Sequence, residues 1–214
     1  DVAPVRGVRR LHLLYWGAAR LARERQLAAL LGRLASEVRL LVAAKAPLRV
    51  FVHAGVVGWR GRAVVMCGRS HAGKSTLVAE LLRAGAEYYS DEYAVISPDG
   101  RVWPFAQPLQ LRRPEGGEER ILPGALGARI GEGGLPIGLV AAVEYRRGAS
   151  WDPRRLTPAE GALALLENAV PARLAPRRTL RALRAATAGA ACFRGVRGEA
   201  NETVRAILAR LNRT

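Results

Sequence analysis

The chain has 214 residues, of which half are apolar and about a quarter are charged. It is long enough to bury a core, and its composition is neither disordered nor collagen-like. No uncharged apolar run reaches the ~18 residues that span a bilayer, and no signal peptide opens the chain. Two cysteines, Cys67 and Cys192, are too few for a disulfide framework and favour a reducing, cytoplasmic location.

The formal net charge of +16 lies in the two flanks of the chain. Residues 1–60 hold 11 basic and 3 acidic side chains, residues 61–170 hold 13 of each, and residues 171–214 hold 10 and 2. The flanks are either a solvated arginine surface or a docking face for an acidic peptide, protein or polynucleotide. We do not expect nucleic-acid binding, because no helix-turn-helix, zinc-finger, homeodomain or RNA-recognition signature is present.

The first predicted elements are helical. Residues 11–44 are rich in Leu, Ala and Arg and contain no proline, which predicts one or two helices that end before Pro47. We therefore divide the chain into an N-terminal helical segment, 1–46, and a compact domain, 47–214. The domain begins with a predicted strand at 48–57, a turn at 58–61, a short buried strand at 63–67 and a helix at 74–84 that Gly85 closes.

Further strands and helices alternate along the rest of the chain. We predict a strand within 87–96, an edge strand within 102–111, a glycine-rich loop at 114–134 and a buried strand at 139–145. A helix at 157–170 begins with a capping box formed by Thr157 and Glu160, and a last helix covers 199–211. Interspersed strands and helices predict an α/β fold.

The most informative motif runs from Gly68 to Ser75 and fits the phosphate-binding pattern G-x-x-x-x-G-K-[ST]. Its glycines let backbone N–H groups point at phosphate oxygens, and the following helix adds the positive end of its dipole. Lys74 would neutralise phosphate charge and the Ser75 hydroxyl would bind Mg²⁺. The motif predicts a nucleoside triphosphate site made of Gly68, Arg69, Ser70, His71, Ala72, Gly73, Lys74, Ser75 and Thr76.

Two acids and a histidine are the candidates for the chemistry. Asp91 and Glu92 follow the loop helix, and on a strand their side chains would point to opposite faces, one towards the acceptor and one towards the metal. His53 lies on the strand before the loop strand, where it is either a packed residue or a neighbour of the phosphate site. His71 lies within the loop, at a position where the backbone meets phosphate.

Together these residues resemble the HPr kinase/phosphorylase family, and more closely its short relatives found beside peptide-modification genes. The resemblance covers about residues 50–111 and includes "VHAG" at 52–55, the loop, and "LLRAGAEYYSDEYAVI" at 81–96. In that family a histidine precedes the first loop glycine by 15 positions, as His53 precedes Gly68. A pair of acids follows that glycine by 23 and 24 positions, as Asp91 and Glu92 do.

The resemblance implies a P-loop kinase core of the HPr kinase and phosphoenolpyruvate carboxykinase type, with flanking helices. It also implies ATP and Mg²⁺ as cofactors and a serine hydroxyl of a peptide or protein as acceptor. By the same analogy Asp91 is the base that accepts the hydroxyl proton, His53 supports it, Lys74 acts on the phosphates, and Ser75 and Glu92 hold the metal. A homo-oligomer is a further expectation, since the long family forms hexamers.

The chain departs from the long family in ways that bear on its substrate. The Glu-x-Arg-Gly motif is absent, and the nearest text is Gln110-Leu111-Arg112. We therefore expect an acceptor other than HPr and no phosphorylase activity, and a ribosomally made precursor peptide is the substrate class we favour. Arg112, Arg154 and Arg155 are candidates for stabilising the transferred phosphoryl group. The alternatives are a small-molecule kinase of the same fold and a non-catalytic nucleotide-binding regulator.

Overall fold

The structure is a computed structural model that describes residues 10–69, 72–112 and 115–212. The chain divides into two compact units, Asp1–Lys45 and Ala46–Thr214. Within the described residues, none of the helices combines the length and hydrophobicity required to cross a lipid bilayer.

The first unit is a β-hairpin with one helix packed on it. Strands β1 (His12–Trp16) and β2 (Ala19–Glu24) pair antiparallel, and helix α1 (Leu27–Lys45) follows. The prediction of helix from residue 11 onward is therefore wrong for the hairpin and right for α1. Gly17 explains the difference, because its left-handed backbone (φ +57°) lets the chain reverse over two residues.

The second unit is a three-layer α/β domain around an eight-stranded mixed sheet, which confirms the predicted α/β class. The strands of this sheet are β3 (Val50–Trp59), β4 (Arg62–Cys67), β5 (Glu87–Ser90), β6 (Tyr93–Ile96), β7 (Val102–Trp103), β10 (Ile137–Tyr145), β11 (Arg154–Leu156) and β12 (Ala191–Arg197). Their order is β11-β12-β10-β4-β3-β6-β7, and β5 also pairs with β3. Strand β4 runs parallel to β10, and β10 parallel to β12, while β3 is antiparallel to β4.

Two helices cover each face of this sheet. Helices α2 (Lys74–Arg83) and α5 (Ala200–Leu211) share one hydrophobic core with the sheet, and α3 (Pro158–Leu166) and α4 (Pro176–Thr187) share the other. Strand β4 supplies both cores, because Val64 and Met66 face one and Val65 and Cys67 face the other. This double burial is why the strand before the loop is a continuous apolar run.

Several predicted boundaries hold and others do not. The predicted strand at 63–67, the helix from 74 and the capping box of Thr157 and Glu160 at the start of α3 are all present. The region predicted as a loop contains β9 (Glu118–Ile121), which pairs with β8 (Leu109–Arg112), and a 3-10 helix, Pro123–Leu126. Helix α3 ends at Leu166 rather than near 170, and α4 and β12 were not predicted.

The predicted strand within 87–96 is two strands with a break between them. The Ser90 hydroxyl accepts hydrogen bonds from the backbone N–H groups of Glu92 (3.1 Å) and Tyr93 (3.0 Å), and these bonds turn the chain after β5. Asp91 and Glu92 therefore lie in the bend and not on a strand. The expectation that these two acids lie on a strand is wrong, so strand alternation does not set the directions of their side chains.

Candidate active site

The glycine-rich motif joins β4 to α2 at one edge of the sheet. Strand β4 ends at Cys67, and α2 begins at Lys74 directly after Gly73, whose backbone is left-handed (φ +71°). Gly68 passes so close to β10 that a Cβ atom there would overlap the carbonyl oxygen of Val143. The strand, the two end glycines and the helix thus follow one another in the order in which phosphate-binding loops occur. Ser70 and His71 lie outside the described residues.

Lys74 is largely buried and is directed back over the start of the motif. Its Nζ donates hydrogen bonds to the carbonyl oxygens of Gly68 (2.9 Å) and Arg69 (3.1 Å). Burial lowers the pKa of Lys74, and the nearby Asp91 carboxylate opposes that shift. The ammonium is held by neutral carbonyl groups and lies within electrostatic range of one carboxylate, an arrangement that a phosphate group would complete.

Arg197 holds the other end of the motif, and it was not among the residues predicted from the sequence. Its side chain is 2% exposed, and Nη2 donates hydrogen bonds to the carbonyl oxygens of Ala72 (3.0 Å) and Gly73 (2.9 Å). Nη1 bonds the carbonyl oxygen of Gly198, and the guanidinium lies 4.8 Å from the ring centroid of Tyr145. Arg197 thus fixes the backbone immediately before α2: it pairs the carbonyl oxygen of Ala72 and adds a second hydrogen bond to that of Gly73, which also accepts from the N–H of Leu77 (3.1 Å).

Asp91 lies next to the hydroxyl that begins α2. The Ser75 side chain lies close enough to the Asp91 carboxylate to oppose the rise in its pKa, and the backbone N–H of Gln110 donates to Oδ2 (3.3 Å). The second oxygen, Oδ1, is buried and has no hydrogen-bond partner among the described residues. Burial raises the pKa of Asp91 to about 6, against the effects of Ser75, Gln110 and Lys74. The carboxylate therefore has one oxygen without a hydrogen-bond partner among the described residues, and its pKa lies close to neutral pH.

This burial predicts that Asp91→Asn stabilises the protein at neutral pH. The native pKa is above that of a solvated carboxyl, so ionisation disfavours the native state as the pH rises from about 4 to about 6. Above pH 6 the full cost is about 3 kcal/mol, and removing it should raise the melting temperature by about 5 °C or more. Thermal unfolding at pH 8 and pH 4.5 measures the effect, which should shrink at the lower pH.

The matched control is Asp152→Asn, which makes the same change at an exposed carboxyl. It should leave the melting temperature unchanged at both pH values. An Asp91→Asn protein that melts below the wild type at pH 8 would show that the carboxylate stabilises the fold, contrary to this account.

His53 lies beside the bend that carries the two acids. Its imidazole lies beside the backbone of Glu92, and its ring contacts that of Tyr93 edge to face, with the ring centroids 5.9 Å apart. Its backbone N–H donates to the carbonyl oxygen of Asn168 (2.8 Å). Burial and the charge of Lys74 lower the pKa of His53, which favours the neutral imidazole.

The two predicted metal ligands, Ser75 and Glu92, have different surroundings. The Ser75 side chain lies beside the Asp91 carboxylate, and together they offer oxygen atoms beside the motif. The backbone N–H of Glu92 donates to the Ser90 hydroxyl, its carbonyl oxygen accepts from the backbone N–H of Ala54, and the His53 imidazole lies beside it. The Glu92 side chain is half-buried. No group of three or more His, Cys, Asp or Glu side chains gathers in the described parts of the chain. Mg²⁺ does not need one, since one or two protein oxygens with substrate phosphates suffice.

Two open clefts border the motif. One, of about 790 Å³, runs from Gly68 and Arg69 past Tyr145 to Glu167 and Arg194, which form an ion pair at 2.9 Å. The other, of about 720 Å³, lies beside α2 and is lined by Thr76, Arg112, Tyr145, Arg197 and Asn201. Of the three arginines predicted to stabilise phosphate, Arg112 borders this cleft. Arg154 instead pairs with Glu160 (2.9 Å), and Arg155 is exposed on β11.

Comparison with known proteins finds similarity among solved structures. No protein-family model and no curated protein matches the chain. A similar solved structure is described as the HPr(Ser) kinase/phosphatase from Coxiella burnetii. The two are 14% identical, the similarity covers 76% of this chain and 95% of that one, and the TM-score is 0.38.

Proposed function

We propose that this protein is an ATP- and Mg²⁺-dependent kinase that transfers the γ-phosphate to a serine hydroxyl of a peptide or protein. The observation that carries the proposal is the contact between Asp91 and Ser75. It brings a carboxylate with a raised pKa to the first turn of the helix that follows a glycine-rich motif. Phosphoryl transfer needs such a combination, namely a site that binds the phosphates and a general base beside it.

The phosphates would be bound by the motif and the start of α2. Backbone N–H groups at a helix N-terminus attract anions, and the ammonium of Lys74 adds a full positive charge. The cleft beside Thr76 continues from this point and offers the ring of Tyr145 for the rest of the nucleotide. Binding therefore uses the backbone geometry that Gly68, Gly73 and Arg197 maintain.

The residues beside the motif fit a magnesium ion. The Ser75 hydroxyl would bind it directly, because a hydroxyl oxygen is a hard ligand, and the unpaired Oδ1 of Asp91 would accept a hydrogen bond from one of the waters that Mg²⁺ keeps. When bound, the ion neutralises charge on the phosphate oxygens. Glu92 remains a candidate to contribute a further oxygen.

The protein's own part in the reaction is to position the acceptor and take its proton. As the serine oxygen forms a bond to the γ-phosphorus, the bond from that phosphorus to the β–γ bridging oxygen breaks and ADP leaves. The hydroxyl proton passes to the Asp91 carboxylate, which Gln110 and Ser75 hold in place. His53 orients the segment that carries this carboxylate through the backbone of Glu92.

The raised pKa of Asp91 predicts how the transfer rate depends on pH. The carboxylate must be ionised to accept a proton, so the rate should be half-maximal near pH 6 and constant above about pH 7. Below pH 6 it should fall about tenfold per unit as the carboxyl becomes protonated. Initial rates from pH 5 to 8 test this, with circular dichroism at each pH as the control for folding. A rate independent of pH over this range would contradict the role of Asp91.

The experiment that tests the function is transfer from γ-labelled ATP to a serine-containing peptide library, with and without Mg²⁺. Label on serine, identified by mass spectrometry, supports the proposal. Label on a metabolite instead would indicate the small-molecule kinase. Tight nucleotide binding without any transfer would indicate the regulator, and both outcomes reject the peptide kinase.

A further inference from the structure

A second site lies between α4 and the ends of strands β3 and β6. It is a groove of about 390 Å³ with an aliphatic floor and a rim of arginines. The floor includes Leu48, Val50, Ile96, Pro98 and Ala182. We call it the arginine groove, and its rim is formed by Arg49, Arg177, Arg178 and Arg181.

The rim has a concentrated positive charge that the described structure does not neutralise. Helix α4 contains no acidic residue, and it carries arginines at 177, 178, 181 and 184. The ion pairs seen among the described residues involve arginines elsewhere, at 33, 83, 154 and 194. Like charges four residues apart, as at Arg177 and Arg181, destabilise a helix, as do cations in its first turn. The cluster therefore weakens α4 unless an anionic partner binds.

Arg178 provides a fixed point in the groove. Its Nη1 donates a hydrogen bond to the carbonyl oxygen of Pro47 (2.6 Å), and its Nε is buried without a hydrogen-bond partner in the described residues. Arg177 and Arg181 are exposed on either side of it. The groove thus presents one held and two solvated guanidinium groups above an apolar floor, a combination that binds carboxylates beside aliphatic side chains.

The groove opens at the same edge of the sheet as the phosphate-binding motif. Strand β3 pairs Ala54 with Cys67, the last residue before the motif, and continues past that edge to Val50. In register, Val50 pairs with Ile96 in the groove floor, and His53 pairs with Tyr93 beside the acids. Val50 and His53 are three positions apart on β3, about 10 Å along the strand, and their side chains point to opposite faces of the sheet. An extended peptide that passes round this end of β3 can therefore reach both places.

We propose that the arginine groove binds an acidic, aliphatic-containing segment of the peptide substrate and so presents its serine to Asp91. This inference rests on the proposed kinase function for its purpose, although the binding itself does not require catalysis. A peptide is favoured over a nucleic acid because the floor is aliphatic and offers no aromatic ring on which a base could stack.

The test is direct binding of a fluorescein-labelled peptide in which Glu and Leu alternate, measured by fluorescence anisotropy without nucleotide. Wild-type protein should bind it, and affinity should fall as NaCl is raised. Arg177→Glu/Arg181→Glu should weaken binding by about tenfold or more. The variant Arg177→Gln/Arg181→Gln keeps good helix formers in α4 and so guards against misfolding. It should also weaken peptide binding, but by less than the glutamate variant does.

The matched control is Arg129→Glu/Arg205→Glu, which changes net charge equally at two exposed arginines outside the groove. It should alter affinity by less than about threefold, since only long-range charge is lost. Equal loss in the control and groove variants would show a general charge effect and overturn the proposal. So would a single-stranded oligonucleotide of equal charge that binds the groove as tightly, or a Glu/Ser peptide that binds as well as the Glu/Leu peptide.

A kinetic measurement connects the groove to catalysis. With a serine placed beside the acidic segment, groove variants should raise KM about tenfold and leave kcat unchanged, because they remove binding and not chemistry. Peptide binding without transfer by any variant or the wild type would reject the kinase function while keeping the groove. Transfer without groove-dependent binding would reject the groove while keeping the kinase.

Discussion

Asp91→Asn is expected to lower phosphoryl transfer by about 100-fold or more. Asparagine preserves the shape of the side chain and can still accept the hydrogen bond from the Gln110 N–H, but it cannot take a proton from the acceptor hydroxyl. The loss should therefore appear in kcat. Affinity for ADP in EDTA should stay within about threefold of the wild type, because the backbone of the motif and Lys74 are unchanged.

The Mg²⁺ dependence of nucleotide binding, measured beside the transfer rate, separates the two roles that Asp91 has in the proposal, as a base and in holding the metal. If Asp91 also holds a water of the Mg²⁺ ion that Ser75 binds, the variant should need more Mg²⁺ for half-maximal nucleotide binding, and Ser75→Ala should share that effect. Asp152→Asn serves as the control for changing a carboxylate to an amide at an exposed position. Transfer by Asp91→Asn within tenfold of the wild type would contradict the assignment, whatever the Mg²⁺ dependence.

The local parts of the fold could be predicted because their causes are local. The strand before the motif is apolar on both faces, because it contributes side chains to two hydrophobic cores. That continuous apolar pattern is visible in the sequence. Lys74 begins the helix as predicted, because the glycine before it supplies the left-handed turn. The capping box of Thr157 and Glu160 likewise depends on four consecutive residues.

What could not be predicted depends on contacts between distant residues. Arg197 is one arginine among many in the sequence, and its role arises because β12 passes close to the end of the motif. Asp91 gains its raised pKa from burial in the folded protein, and Gln110, whose N–H opposes that rise, belongs to another strand. The break at Asp91 has a local cause in the Ser90 hydroxyl, and serine followed by two acids was the signal that could have revealed it.

For the arginine flanks, too, the sequence predicts the amount of charge but not where each arginine lies in the fold. Counting charges finds an excess of eight positive charges in residues 171–214 but does not show where they act. The structure separates Arg197, which is buried against the motif, from Arg177 and Arg181, which are exposed on α4. One is a positioning residue for the backbone, and the others are available to a partner. Only the fold distinguishes them.

Gly73→Ala is expected to lower nucleotide affinity by about 30-fold or more and to destabilise the protein by about 2 kcal/mol or more. An added Cβ would overlap the Nη2 of Arg197, and the left-handed backbone (φ +71°) costs alanine about 1–2 kcal/mol on its own. The guanidinium is buried and bonded to three carbonyl groups, so it cannot move without releasing the backbone before α2. Isothermal titration calorimetry with ADP and thermal unfolding measure the two effects.

Gly85→Ala separates backbone strain from the overlap with Arg197. Gly85 is also left-handed (φ +96°) and follows the same helix, but an added Cβ there meets nothing within 4 Å. It should cost about 1–2 kcal/mol of stability and leave ADP affinity unchanged. If both variants bound ADP equally well, Arg197 would not hold the motif in its binding conformation. A loss confined to Gly73→Ala would instead show that the contact between Arg197 and the carbonyls of Ala72 and Gly73 maintains the phosphate site.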